Sequence, residues 1–150
     1  MIHICFCFHD ETGHNAKFIG TAMLSLFENT AVPPMSIKVH ILHDSTLKEN
    51  DRDKFVYLVG QYGQTIEFYD VEKLCAAEIA EIDAYFEKNP KIRWAISAFY
   101  RFFIPLIIPK DVEKAIYLNS EVVVNLDIND LWQVELGNRV LAATPGIANK

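Results

Sequence analysis

The sequence is poor in residues that punctuate or staple a chain. Its 150 residues include only six glycines, six prolines and three cysteines. So little glycine and proline excludes collagen-like and low-complexity classes. The odd cysteine count, at Cys5, Cys7 and Cys75, makes a poor disulfide framework and points to a reducing compartment. Basic residues are outnumbered, 14 against 20, which leaves a net charge of −6. That balance argues against a general nucleic-acid binder. It still allows a local basic pocket for a phosphorylated small molecule. Long apolar runs are missing too. The most apolar stretch, Phe99 to Pro109, falls well short of the ~18–20 residues of a membrane span, and Arg101 sits inside it. Met1 to Asp10 holds no basic segment, and its apolar run is too short for a signal peptide. The expected chain has no transmembrane segment and is cytoplasmic. Three fingerprints are also absent: G-x-G-x-x-G, G-x-x-x-x-G-K-[ST] and G-x-S-x-G. A Rossmann dehydrogenase, a P-loop NTPase and an α/β-hydrolase would each need one of them.

What is present is apolar and aromatic. Hydrophobic residues make up 51% and aromatics 12%, which excludes a disordered chain. A chain of this length suits one domain, over residues 1–150, and can bury roughly 68–70% of its unfolded surface.

Two periods alternate along it. Ile2 to Phe8 reads as a strand, with Ile2, Ile4, Phe6 and Phe8 on one face and His3, Cys5 and Cys7 on the other. A polar turn at His9 to Asn15 leads into a helical stripe over Ala16 to Asn29, which Pro33 and Pro34 close off. Ile37 to His43 is a second strand. Thr46 and Glu49 have capping-box spacing, and Phe55, Leu58, Val59 and Tyr62 continue as a helix. Thr65 to Tyr69 is a third strand. Val71 to Lys88 has one apolar face at helical spacing, and Ile92 to Ile104 reads as a helix that Pro105 ends. Ala115 to Leu118 reads as a central parallel strand buried on both faces. Val122 to Val124 and Val140 to Ala143 are further short strands, with a helical turn at Asp130 to Trp132. This alternation implies an α/β fold, a mostly parallel sheet with helices on both faces. Ligands then bind beyond the carboxyl ends of the strands. That rule selects His9 to His14, His43 to Ser45, Tyr69 to Val71 and Asn119 to Glu121.

Several candidates arise there, each with a plainer alternative. Asn119-Ser120-Glu121 offers an amide carbonyl and a carboxylate, hard oxygens suited to Mg²⁺ or Mn²⁺ with a diphosphate. It also reads as a polar turn. Arg101, among Tyr100, Phe102 and Phe103, suits a phosphate or carboxylate, and equally a structural ion pair. The loop His9-Asp10-Glu11 suits a base, a ribose or a metal, and equally a solvated turn. His40 and His43 point to opposite faces and do not read as a metal pair. Cys5 and Cys7 share a face but lack the rest of a zinc set, so they read as core thiols.

At these residues the chain resembles the N-terminal part of glycosyltransferase family 8, which includes bacterial lipopolysaccharide galactosyl- and glucosyltransferases and the glycogenins. Four stretches carry the likeness, in order. They are Ile2 to Phe6 with its acidic loop, Met23 to Thr30, Ile96 to Pro105, and Ala115 to Val124 with Leu126 to Trp132 behind it. The resemblance implies a GT-A-type, Rossmann-like fold and a UDP-sugar donor held with Mn²⁺ or Mg²⁺. It implies retaining transfer of a hexose to a saccharide or lipopolysaccharide acceptor. Arg101 would face donor sugar and diphosphate as the catalytic group. Asn119 and Glu121 would stand at the metal-binding D-x-D, with Ser120 between them beside the nucleotide. Phe8, His9 or Asp10 would hold the uracil. Lipopolysaccharide work would place the chain in the cytoplasm or at the inner face of the membrane.

Two departures qualify the likeness. The D-x-D position reads Asn-Ser-Glu, so one anionic ligand is lost and a weakened metal site is expected. Family members are also longer, and their C-terminal half supplies the acceptor site and a metal-binding histidine. The chain is therefore expected to be a truncated member, with Phe99 to Ile108 exposed and prone to self-association. The alternative is a degenerate, non-catalytic relative that serves as a nucleotide-binding or protein-interaction module.

Overall fold

A computed structural model describes residues 1–88 and 96–143. Four strands form one parallel sheet in the order β3-β2-β1-β4. β1 is Ile2–Phe8, β2 Ile37–His43, β3 Thr65–Asp70 and β4 Ile116–Tyr117. Among the helices are α1 (Asn15–Glu28), α2 (Glu49–Gln61), α3 (Val71–Leu74), α4 (Ala76–Lys88), α5 (Ile104–Ile107) and α6 (Ile128–Trp132). A 3₁₀-helix, Ile96–Phe103, runs straight into α5. Among the described residues no helix is long and apolar enough to cross a membrane.

The alternation in β1 and β2 splits the interior into two layers. Ile4, Phe6, Phe8, Val39 and Ile41 are fully buried in one core with Ile19, Met23 and Leu26 of α1 and Phe55 and Val59 of α2. Leu42, Tyr69, Val71, Cys75, Tyr100 and Phe103 form a second core. The 3₁₀-helix is therefore anchored on one side by its own Tyr100 and Phe103.

α1 has no side-chain cap at His14. Asp10 does that work from a distance. Its carboxylate accepts from the backbone N–H groups of Gly13 at 2.6 Å, His14 at 2.9 Å and Ala16 at 3.0 Å. A carboxylate at a helix N-terminus meets both free donors and the positive end of the dipole. Gly13 takes φ +78° in that turn, a conformation that suits glycine.

Several expectations need correction. Thr46 and Glu49 form no capping box; α2 starts at Glu49 with Lys48 as N-cap. Thr46 Oγ1 is engaged instead with Asp44 and Asp10. Val71 to Lys88 is broken at Cys75, which leaves helical geometry at φ −128° and ψ 37°. Cys75 is buried beside Val71 at that break. Pro105 does not end a helix. It sits in the first turn of α5, where a missing N–H costs nothing. Residues 92–95 of the expected helix over 92–104 lie outside the described residues, and 96–103 are 3₁₀ rather than α. β4 is an edge strand of two half-buried residues, not a central one buried on both faces. Val122 to Val124 is not a strand. Val124 N–H donates to Ser25 Oγ at 2.9 Å, and Asn29 Nδ2 donates to Val124 O at 2.9 Å, so α1 side chains take its backbone groups. Residues 140–143 form no strand either; Val140 and Leu141 are exposed, and among the described residues no strand reaches them.

Candidate functional site

In a sheet of this order the chain reverses direction of growth between β1 and β4. Strands β2 and β3 are added on one side of β1, and β4 on the other. The crevice beyond the carboxyl ends at such a switch point is where ligands bind in open α/β sheets. The residues that reach it come from the loop after β1, the loop after β2, the 3₁₀-helix and the turn after β4.

Arg101 is exposed and stands at this crevice. Its guanidinium lies 5.0 Å from the centre of the Tyr117 ring, on β4. Its Nε donates to Ala98 O at 2.9 Å, within the same helical turn. The remaining guanidinium N–H groups have a planar fork to offer an incoming anion. Cys7, near the end of β1, feels this cation as well. Burial pushes the Cys7 thiol up to about 12, and the Arg101 charge only partly opposes it. Cys5 is likewise pushed up to about 12 by burial. Both stay protonated thiols, and all three cysteines are free.

Asn119 and Glu121 follow two and four residues after Tyr117, and both are exposed. Asn119 Oδ1 accepts from the Ser120 N–H at 2.9 Å. The oxygen types suit a hard cation, but the protein supplies one carboxylate and an amide that is already engaged. Among the described residues no three histidine, cysteine, aspartate or glutamate side chains group as a metal site. Such a donor set fits a divalent ion that arrives with a diphosphate and takes its other ligands from it. It does not fit an ion held by protein alone.

The loop after β1 divides by role. Phe8 is fully buried, with its ring edge-on to Phe55 at 6.1 Å, so its side chain belongs to the core. Asp10 is buried and committed to the start of α1. Burial raises its pKa, but N–H donors from Ala16, His14, Gly13 and Asn15 outweigh that and hold it below the usual carboxylate range. His9 is partly exposed. Its Nδ1 lies 2.6 Å from Asp44 Oδ2, and its Nε2 lies 3.7 Å from Glu11 Oε1.

Asp44 is the centre that sequence reasoning did not find. It is buried just past β2 and accepts four hydrogen bonds. Thr46 supplies its N–H at 3.0 Å and Oγ1 at 2.5 Å; His9 and Tyr100 OH, at 2.9 Å, meet the other oxygen. Burial pushes the Asp44 carboxyl up, and these donors together bring it below its ordinary value. Thr46 Oγ1 also accepts from the Asp10 N–H at 2.8 Å. The one signal in the sequence was the carboxyl-end rule, which selects His43 to Ser45 without saying which residue matters. Tyr100 read only as an apolar helical position. The four crevice candidates therefore do not form one cluster. Arg101 lies over Tyr117 of β4, the strand that leads into the 119–121 turn, while His9 bonds Asp44 and the Asp10 N–H bonds Thr46 beside it.

The histidine pair behaves as expected. His40 is buried on the second face and touches His3 Nδ1 at 2.9 Å and Tyr69 OH at 3.0 Å. His43 sits on the other face, edge-on to Phe68. Two concavities lie away from the crevice. One, of about 270 Å³, runs between α1 and α2 past Gly20, Leu24 and Phe55. The other, of about 370 Å³, lies beside His43 and Arg52. Neither is lined by Arg101.

The sequence model described as glycosyl transferase family 8 matches residues 3–147. The chain belongs to glycosyltransferase family 8. General stress protein A of Bacillus subtilis (strain 168) is 24% identical over 144 residues, 95% of this chain and 46% of that protein. Glycosyltransferase GlyE of Streptococcus pneumoniae serotype 4 is 30% identical over 125 residues, 83% of this chain and 27% of that protein. The apo structure of the bifunctional glycosyltransferase WbbM superposes with a TM-score of 0.67 at 20% identity, covering 91% of this chain and 21% of that one. Mouse xyloside xylosyltransferase 1 superposes with a TM-score of 0.57 at 17% identity, covering 88% of this chain and 47% of that one. Those neighbours are GT-A glycosyltransferases, and this family 8 chain shares their fold. It spans less than half the length of the curated relatives it matches.

Proposed function

We propose that this chain is the donor-binding portion of a retaining hexosyltransferase that uses a UDP-sugar and a saccharide or lipopolysaccharide acceptor. The observation that carries this reading is the Arg101 guanidinium held over Tyr117, on the strand that leads into Asn119 and Glu121. A cation over Tyr117, with hard oxygens two and four residues further along the chain, supports a diphosphate site there.

The chemistry follows from charge. Sugar transfer breaks the bond between the anomeric carbon and the diphosphate, and negative charge grows on the departing oxygen. A fixed guanidinium stabilises that charge more than it stabilises the bound donor. Arg101 does this through its fork of N–H donors, two of which can meet phosphate oxygens together. A divalent ion bound with the diphosphate supplies further Lewis-acid stabilisation. Glu121 would supply the carboxylate for that ion, with Asn119 as a neutral partner. His9 stands at the base-side loop with Asp44 behind it. Asp10 acts there by shaping the loop, since its carboxylate is spent on α1. A cytoplasmic setting, in reach of the inner membrane face, belongs to the same proposal.

A second reading rests on Asn119, whose carbonyl turns onto Ser120. On that reading the fold is kept as a nucleotide-binding or protein-interaction module without transfer. The N119D/E121D double variant separates the two. If the site is right, restoring both aspartates strengthens Mn²⁺-dependent UDP binding in a calorimetric titration. If UDP binding with Mn²⁺ does not improve, the assignment of this turn is wrong.

A further inference from the structure

We propose that Tyr100 and Asp44 are positioning residues that set Arg101 for a diphosphate; this rests on the donor-binding reading above. Arg101 has few holds of its own. It is exposed, and its Nε bond goes to Ala98 of the same turn, so that bond moves with the turn. The ring of Tyr117 offers a broad, weakly directional surface. Where the guanidinium stands thus depends on where the 3₁₀-helix stands.

Apolar packing locates that helix only in part. Tyr100 and Phe103 enter the second core beside Leu42, Tyr69 and Cys75. Apolar contact resists withdrawal of the helix and does little against sliding or rotation, because it is non-directional. A hydrogen bond to a charged acceptor is directional. The Tyr100 hydroxyl supplies one, donating to Asp44 Oδ2 at 2.9 Å across 56 residues of sequence. Both partners are nearly inaccessible, Tyr100 at 1% and Asp44 at 3% exposure, so water does not compete. Burial and the Asp44 charge push the Tyr100 phenol well above its ordinary pKa, so it remains a donor.

The other end of this tether is firm. Asp44 begins the loop after β2, and Thr46 binds its second oxygen twice. Thr46 also accepts from the Asp10 N–H, and His9 shares Oδ2 with Tyr100. One buried carboxylate thus ties the β1 loop, the β2 loop and the turn that carries Arg101. Its consequence is specific: the distance between base-side loop and phosphate-side cation is fixed before any ligand enters.

The test is Tyr100→Phe, which keeps the ring in the core and removes only the hydroxyl. Wild type, Y100F, R101A and the double variant are titrated with UDP and with uridine, which lacks the diphosphate. Positioning predicts that Y100F weakens UDP roughly tenfold, the scale of one lost charge-assisted bond, and leaves uridine unchanged. It also predicts that the double variant is no weaker than R101A alone, since both changes act through one group. Equal losses for UDP and uridine, or full additivity, would overturn it. Amide hydrogen exchange over residues 97–103 gives a readout without ligand. Y100F is expected to speed exchange there about tenfold while β1 and β2 stay protected. Unchanged exchange overturns the tether. A wild-type chain that binds no UDP, with exchange still faster in Y100F, overturns the donor-binding reading and leaves the tether as structure alone.

Discussion

On the face covered by α1 and α2, Ile4, Phe6, Phe8, Val39 and Ile41 meet an unbroken apolar layer. On the opposite face His3, Cys5, His40 and Tyr69 carry ring nitrogens, a thiol and a hydroxyl inward or toward it. The same two strands build both. The first face holds by area removed from water, which is insensitive to pH. The second holds by paired polar groups, which are costly when a partner is lost or changes charge. Tyr100, Cys7 and Tyr117 belong with the second face, so the crevice with Arg101 grows out of the polar side. Apolar burial dominates one face, and the proposed donor site lies on the other.

The comparison is broken most severely by Phe6→Ala. Phe6 is fully buried, and truncating such a ring costs about 3–5 kcal/mol. Urea unfolding is expected to show that loss equally at pH 7.5 and pH 5.5.

Acid breaks the other face. His40 is lowered from 6.5 to about 4, chiefly by burial and then by His3 and Lys38, with Glu67 opposing. Lys38 and Glu67 face each other at 2.5 Å beside it, and Tyr69 and His3 bond its two nitrogens. The folded state holds His40 neutral where the unfolded chain takes up a proton. Its stability is therefore complete above about pH 6.5 and is lost as pH falls toward 4, by up to roughly 3 kcal/mol. Urea midpoints measured across that range check the slope, and His40→Leu should flatten it.

Arg101→Ala sharpens the comparison from the functional side. It removes one exposed cation–π contact, so the stability cost is about 0.5–1 kcal/mol. UDP affinity is expected to drop roughly tenfold or more. A large stability loss with unchanged UDP affinity would make Arg101 a structural group.

The smallest effect is expected on the outer surface of the apolar side. Lys54 pairs with Asp51 at 3.0 Å on α2, with its own side chain 65% exposed. Lys54→Ala should change thermal stability by less than about 0.5 kcal/mol.

The first face was legible because its signal is local. Ile2 to Phe8 and Ile37 to His43 alternate at the strand period, and both strands have those bounds. α1 and α2 followed from stripes at helical spacing. The second face was not legible, because its bonds join residues far apart. Nothing in Tyr100 announces Asp44, 56 positions earlier. Val122 to Val124 looked like a strand because its residues favour one; Ser25 of α1 and Asn29, which caps that helix, claimed its backbone instead. β4 read as a buried central strand from its apolar run, yet among the described residues it pairs only with β1. Arg101 stood out in sequence as a charge in an apolar stretch. Its neighbour Tyr117 and its tether through Tyr100 required the fold.

The proposed diphosphate site lies between Arg101 and the 119–121 turn. Calorimetric titration of UDP, with and without Mn²⁺, tests it most directly. Measurable UDP binding that tightens when Mn²⁺ is present is the expected result. No UDP binding in either condition would contradict it and leave a family 8 fold without donor chemistry.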